Sequence, residues 1–92
     1  MRRTKIAELL RTEPTGSDIL VKGWVKAFRN NQFIALNDGS TPHNLQVVVD
    51  FEQFDAATLE RIRFGAAIGA RGVLVESQGK GQKVELKASE II

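Results

Sequence analysis

Hydrophobic and polar positions follow two different periods along this chain. Residues 5–11 have their apolar side chains at helical spacing, which predicts a short first helix, with Thr4 as its cap and Pro14 beyond its end. From Ser17 onward the apolar positions mostly alternate with polar ones, which is typical of half-buried strands. The pattern therefore predicts a chain that begins with one helical turn or two and continues mainly as β-structure.

Five alternating segments predict five strands, and one helical segment interrupts them. The helix is expected over residues 55–64, with Asp55 as its N-cap and Gly65 as its C-cap. A mid-strand glycine, Gly23, indicates a bulge or a bend in the first strand. The predicted strands cover residues 17–29, 32–37, 44–49, 68–76 and 83–88.

Several aromatic residues are candidates for the core. Phe51, Phe54 and Phe64 flank the second helix and are expected to plug the core beneath it. Trp24 is also assigned to the core, on the assumption that a bulge at the preceding glycine turns it inward. The side of the sheet that Phe28 occupies stays open.

The order of helix, three strands, helix and two strands predicts the fold class. It is the layout of a mainly β, five-stranded OB-fold Greek-key barrel, and residues 1–92 are expected to form one such domain. An unrelated small barrel is the main alternative. A fold of this kind hosts many functions, so the function depends on the site.

Composition excludes several classes of chemistry. The 92 residues include no cysteine and one histidine, and the formal net charge is +2. Thiolate metal sites, disulfides and a cysteine nucleophile are therefore excluded, and His43 is interpreted as an exposed loop residue. The acidic residues form no pair at a recognisable catalytic spacing, so we expect no catalytic centre, metal or cofactor within this chain. No apolar run approaches the ~20 residues of a membrane helix, so no membrane partner is expected.

The outward face of the second and third strands carries the most specific signal. If Ile34 and its alternating neighbours face the core, Phe33, Ala35 and Gln46 share the opposite face, with the ring and the amide diagonal across Ala35. A flat ring beside a primary amide can hold one unstacked base. Packing of the ring under the first helix or a long loop is the alternative interpretation.

Basic residues accompany that face. Lys26 and Arg29 lie on the adjacent first strand, where they can meet a nucleic-acid backbone. Lys80 lies in the glycine-rich run Gln78-Gly-Lys-Gly81, which lacks the spacing of a phosphate-binding loop and is interpreted as a hairpin loop whose lysine can contact a phosphate.

Several blocks of the chain resemble a known family. The runs Val21–Arg29, Phe33–Ser40 and Leu45–Asp50, with similar blocks over residues 72–88, resemble the N-terminal anticodon-binding domain of class IIb aminoacyl-tRNA synthetases. Residues 36–40 look like the asparagine branch. The resemblance implies that Phe33 stacks on the central anticodon uridine and that Gln46 hydrogen-bonds it. It also implies that Arg29 assists and that Lys80 lies near the first anticodon base.

The resemblance also implies a larger parent protein. Such a parent would be a cytoplasmic ligase that attaches asparagine to its tRNA with ATP and Mg²⁺, and a homodimer through a catalytic domain that is not in these residues. We then expect this chain to bind the anticodon loop of tRNA for asparagine without charging it. The alternatives are a free-standing OB-fold protein that binds single-stranded nucleic acid and a fragment that pairs with another protein.

Overall fold

The described part of the chain forms five strands and two short helices. The computed structural model describes residues 3–11, 16, 18–30, 32–50, 52–76 and 84–92. The strands close into a barrel in the spatial order first, second, third, fifth, fourth, with one helix before the first strand and one between the third and the fourth. The predicted fold class is therefore confirmed. The elements are α1 (Ile6–Leu9), β1 (Asp18–Arg29), β2 (Phe33–Asn37), β3 (Leu45–Val48), α2 (Ala56–Glu60), β4 (Ala67–Glu76) and β5 (Val84–Ile91).

The core consists of the inward-facing residues of all five strands and of both helical segments. The predicted inward positions of β2 and β3 are confirmed, since each is fully buried. Leucine and isoleucine residues from the two helical segments pack onto the same cluster. Alternation thus places every second residue of β2 and β3 on the outer face. Buried on the inner side are Ile6, Leu9, Val21, Val25, Ile34, Leu36, Leu45, Val47, Val49, Ile62, Leu74, Val84 and Leu86.

A parallel pairing between β3 and β5 closes the barrel. The neighbours β1 and β2, β2 and β3, β1 and β4, and β4 and β5 all pair antiparallel. The strands β3 and β5 run parallel instead, with Val47 beside Leu86 and Val48 beside Lys87. This seam brings residues that are about 39 positions apart in sequence side by side on the outer face.

A β-bulge at Lys26 decides where the aromatic residues of β1 point. Val25 pairs with Leu36 and Ala27 with Ala35, so Lys26 is the extra residue. Trp24 precedes the bulge and keeps its outward position at 48% exposure, so its assignment to the core was wrong. Phe28 follows the bulge and packs against the core. Of the two alternatives predicted for the mid-strand glycine, a bulge or a bend, the bulge is wrong, since β1 pairs regularly with β4 there.

The second helix is shorter than predicted. Asp55 is its N-cap, as expected, and accepts a hydrogen bond from the Thr58 backbone N–H at 2.7 Å. The helix ends at Glu60, before a turn that hydrogen-bonds to β1. Phe64 lies in this turn and is 79% exposed, so its assignment to the core was wrong. Phe54 does pack against the core, whereas Phe51 lies outside the described residues.

Helix α1 is capped by the turn between β2 and β3. An Asp38 carboxylate oxygen accepts from the Ile6 backbone N–H at 2.9 Å, and the Ser40 hydroxyl oxygen accepts from the Ala7 N–H at 3.0 Å. The prediction that Thr4 caps this helix was wrong, because the N-cap position is occupied by Lys5, whose side chain makes no capping hydrogen bond. A four-residue helix is unstable alone, so this distant cap and the burial of its apolar face hold it in place.

The same contacts lower the pKa of the Asp38 carboxyl. Burial raises this pKa, but the hydrogen bonds from the Ser40 hydroxyl and from the backbone N–H groups of Ile6 and Ser40 outweigh it. The pKa therefore lies below its ordinary value of 3.8. A lowered pKa means that the folded state favours the ionised carboxylate. Its stabilisation is complete above pH 3.8 and is lost as the pH falls through the folded-state pKa.

Asp38→Ala should lower the free energy of unfolding by about 0.5–2 kcal/mol at neutral pH, because the first turn of α1 loses its acceptor. Urea denaturation measures the change. Asp38→Asn keeps an acceptor and removes the charge, so its deficit relative to wild type should be smaller and should shrink below pH 3.8. A deficit that is constant from neutral pH to strongly acidic pH would contradict the assigned role of the carboxylate.

Candidate nucleic-acid interface

The outer face of the barrel carries two rows of side chains that run across the strands. In the first row, Arg29 pairs with Phe33, Phe33 with Val48, and Val48 with Lys87. In the second row, Ala27 pairs with Ala35, and Ala35 with Gln46. Partners in register lie on the same side of a sheet, so these rows form one continuous surface.

The predicted geometry of the aromatic–amide pair is confirmed. Phe33 and Gln46 share the outer face, diagonal to each other across Ala35, while Ile34 between them in register points into the core. Diagonal positions of this kind are about 7–8 Å apart. Both side chains are half-buried, so the ring is neither packed inside the barrel nor fully in water.

A pocket of about 170 Å³ lies between these two side chains. Because residue 35 is an alanine, nothing larger than a methyl group fills its floor. The ring forms one wall and the amide another. The described residues that line the pocket are Ala27, Arg29, Phe33, Ile34, Ala35, Asn44 and Gln46.

The predicted basic residues occupy different places. Arg29 lies directly opposite Phe33 and lines the pocket, because the bulge at Lys26 shifts the end of β1 by one residue. Lys26 itself is exposed and does not belong to the described lining. Lys80 lies outside the described residues. Lys87, which the sequence pattern did not single out, is exposed at the other end of the first row.

The amide of Gln46 has a neighbour that sequence reasoning missed. Its Nε2 donates a hydrogen bond to Oε1 of Glu85 on β5, at 3.2 Å. Glu85 directly precedes Leu86, which pairs with Val47 across the parallel seam. Glu85 is 8% exposed. Strand periodicity places Glu85 on the outer face, but no local signal in the sequence shows which residue of another strand it meets.

The Asn37 side chain holds the turn that leads into β3. Its Nδ2 donates to the backbone carbonyls of Thr41 and His43 and to Oδ1 of Asn44, at 3.0–3.2 Å. Its Oδ1 accepts from the Gly39 backbone N–H at 2.8 Å. By alternation Asn37 follows the buried Leu36 and would lie on the outer face, but it is buried in this network. The network fixes Asn44, and Asn44 lines the pocket.

Other features of the described residues do not form a competing centre. His43 is exposed in the turn, as predicted. A larger cavity of about 380 Å³ includes Trp24, Lys22 and Ile92 in its described lining, but no amide side chain. In the part of the chain that the structure describes, no three acidic or histidine side chains come together at a metal-binding distance. No described helix has the length and apolar character needed to cross a bilayer.

The fold agrees with the family and the structures to which this chain is similar. The family described as the OB-fold nucleic acid binding domain matches residues 19–92. The chain belongs to this family. This OB-fold domain is 54% identical over 94 residues to asparagine–tRNA ligase of Porphyromonas gingivalis and 51% identical over 92 residues to that of Bacteroides fragilis. These alignments cover 99% and 97% of the domain and 20% of each relative, so the chain spans about a fifth of their length.

Solved structures share the fold of this OB-fold domain. Asparaginyl-tRNA synthetase from Pyrococcus horikoshii, complexed with asparaginyl-adenylate, superposes with a TM-score of 0.79 at 14% identity. That match covers 100% of this chain and 22% of the other. Entamoeba histolytica asparaginyl-tRNA synthetase gives a TM-score of 0.68 at 20% identity, over 85% of this chain and 20% of the other. At such identities the likeness concerns the fold alone.

Proposed function

We propose that this domain binds the anticodon loop of a tRNA, and of tRNA for asparagine in particular. The observation that carries the proposal is the pocket between Phe33 and Gln46, with Ala35 as its floor. The membership in a nucleic-acid-binding family and the asparagine–tRNA ligase names of the relatives support it. The central anticodon uridine is the base that the pocket takes.

In this pocket Phe33 stacks on the base and Gln46 recognises its edge. The Phe33 ring offers a flat apolar surface for a splayed base, an interaction worth about 1–3 kcal/mol. The Gln46 amide faces the edge of the same base, where its oxygen accepts from the uracil N3–H and its nitrogen donates to O4. Stacking is available to any base, so the amide supplies the selectivity.

Cations at both ends of the first row meet the phosphates. Arg29 and Lys87 lie on either side of the row that contains Phe33. Such contacts position a nucleic acid and make its affinity depend on salt, without selecting a sequence. Lys26 at the bulge is a further phosphate contact in the proposal, and the sequence-based prediction of a contact by Lys80 concerns a residue outside the described part of the chain.

The covalent chemistry belongs elsewhere in the proposed parent protein. The parent is a cytoplasmic, homodimeric ligase that attaches asparagine to tRNA. Its reaction, which consumes ATP and requires Mg²⁺, takes place in the four fifths of the relatives' length that this chain does not match. This domain contributes the binding of the anticodon loop and has no cofactor of its own in the proposal.

The domain should prefer a stem–loop with a central anticodon uridine over one with cytidine at that position by about 1–3 kcal/mol. Cytosine exchanges the donor and the acceptor on the edge that Gln46 faces. Fluorescence titrations of the two RNAs at one salt concentration measure the difference. Equal affinity would contradict recognition by Gln46, and equal affinity for single-stranded DNA as well would favour a sequence-independent binding protein.

A further inference from the structure

A glutamine amide does not by itself distinguish uracil from cytosine. The amide group carries an acceptor oxygen and a donor nitrogen on one carbon, and a rotation of 180° exchanges their positions. Uracil presents an N3–H donor beside the O4 acceptor, and cytosine presents the N3 acceptor beside an amino donor. A freely rotating Gln46 would therefore satisfy either base.

The structure shows what restricts this rotation. Gln46 Nε2 donates to Glu85 Oε1 at 3.2 Å. An ionised carboxylate accepts hydrogen bonds and has none to donate, so only the nitrogen of the amide can face it. The rotated amide would place Gln46 Oε1 against the carboxylate, with two acceptors in contact and no hydrogen between them.

We infer that Glu85 is a positioning residue that makes Gln46 selective for uridine. One Nε2 hydrogen goes to Glu85, and the second is directed with Oε1 toward the base, where this pair matches uracil and opposes cytosine. This inference rests on the proposed function of the pocket. It adds the reason why the amide has one orientation before any RNA is bound.

The position of Glu85 suits this role. The parallel pairing of Val47 with Leu86 aligns the residues that precede them, so Gln46 and Glu85 lie side by side on the outer face. Glu85 is 8% exposed, which confines its side chain and strengthens its hydrogen bond relative to one in water. The amide is thus held from a strand other than its own.

Glu85→Gln tests the inference, because an amide at position 85 can offer either an oxygen or a nitrogen to Gln46. Wild type should bind the central-uridine stem–loop about 5- to 150-fold more tightly than the cytidine one. In the variant this ratio should fall below about 3-fold, partly because the cytidine stem–loop binds more tightly than it does to wild type. If the role of Glu85 were purely structural, the variant would bind both RNAs more weakly than wild type does. It would not bind the cytidine stem–loop more tightly.

Two further results distinguish a failure of the proposed function from a failure of the positioning role alone. A wild-type protein without uridine preference would overturn the proposed function itself. A preference that Glu85→Gln leaves intact, in a variant with wild-type circular dichroism, would overturn only the positioning role. Glu85→Asp keeps the carboxylate and should retain more of the preference than Glu85→Gln does.

A measurement on the wild-type protein covers the case in which Glu85→Gln does not fold. Rotation about the Cγ–Cδ bond exchanges the amide oxygen and nitrogen, and the bond to the carboxylate restricts this rotation in Gln46. In ¹⁵N relaxation measurements the side-chain NH₂ group of Gln46 should therefore have a higher order parameter than that of Gln53, which is exposed. Equal order parameters for the two side chains would overturn the inference without any variant.

Discussion

Phe33→Ala should weaken binding of the central-uridine stem–loop by about 1–3 kcal/mol, which is roughly 5- to 150-fold in Kd. The ring is the only aromatic side chain among the described residues that line the pocket. Alanine leaves the base without a stacking surface, while the Gln46 amide and the cations of the first row stay in place. Titrations at one salt concentration measure the loss, since salt alone also changes the affinity.

Phe64→Ala is the matched control for this change. Phe64 is also a surface phenylalanine and, with 79% exposure, is more exposed than the half-buried Phe33, but it lies in the turn after α2 and does not line the pocket. Its removal should leave the RNA affinity at the wild-type value. The stacking role would be contradicted if the two alanine variants bound RNA equally well.

Gly72→Ala should lower the free energy of unfolding by about 3 kcal/mol or more. Gly72 lies at the irregularity in the pairing of β4 with β5. A methyl group there would overlap the Lys87 carbonyl oxygen and lie 2.8 Å from the Ala88 Cα. These are backbone atoms, so the strands must separate to make room. Thermal unfolding should show a Tm lower by about 12 °C or more.

Gly69→Ala makes the same chemical change in the same strand and serves as the control. The nearest atom to its added methyl group is the Ile92 Cβ at 3.5 Å, an ordinary van der Waals contact. Its stability should stay within about 1 kcal/mol of wild type, because alanine also restricts the unfolded chain. Equal losses for the two variants would show that the close approach at Gly72 does not determine the stability.

The strands and the binding face follow from local periodicity. In β2 and β3, alternation identifies the buried residues and therefore also places Phe33 and Gln46 on the other side. Hairpin pairing then makes them diagonal neighbours across Ala35. Both steps depend on residues close in sequence, which is why they can be predicted without coordinates.

The errors on β1 have one physical cause. A bulge reverses the alternation for every residue after it, so a bulge at Gly23 would turn Trp24 inward, whereas the bulge at Lys26 lies after Trp24 and leaves that residue on the outer face. Gly23 indicated the wrong place, because glycine also occurs where two backbones approach closely, as it does here beside Asn37. The bulge at Lys26 has no glycine to mark it.

Polar contacts between distant segments could not be predicted at all. Asp38 caps a helix 32 residues away, and Glu85 bonds to a side chain 39 residues away. Each of these side chains obeys the local pattern equally well whether or not its partner exists. Only the closed barrel selects the partner, and the selectivity that we infer for Gln46 depends on such a contact.

The parallel seam affects the order in which the parts of the candidate site form during folding. The antiparallel β1, β2 and β3 are consecutive in the chain, so the ring at Phe33 and its alanine floor can assemble from local contacts. The β3–β5 pairing joins distant segments, and such contacts form late in folding. If the proposed function holds, a nascent chain on the ribosome would offer the stacking surface of Phe33 before Glu85 could restrict the Gln46 amide.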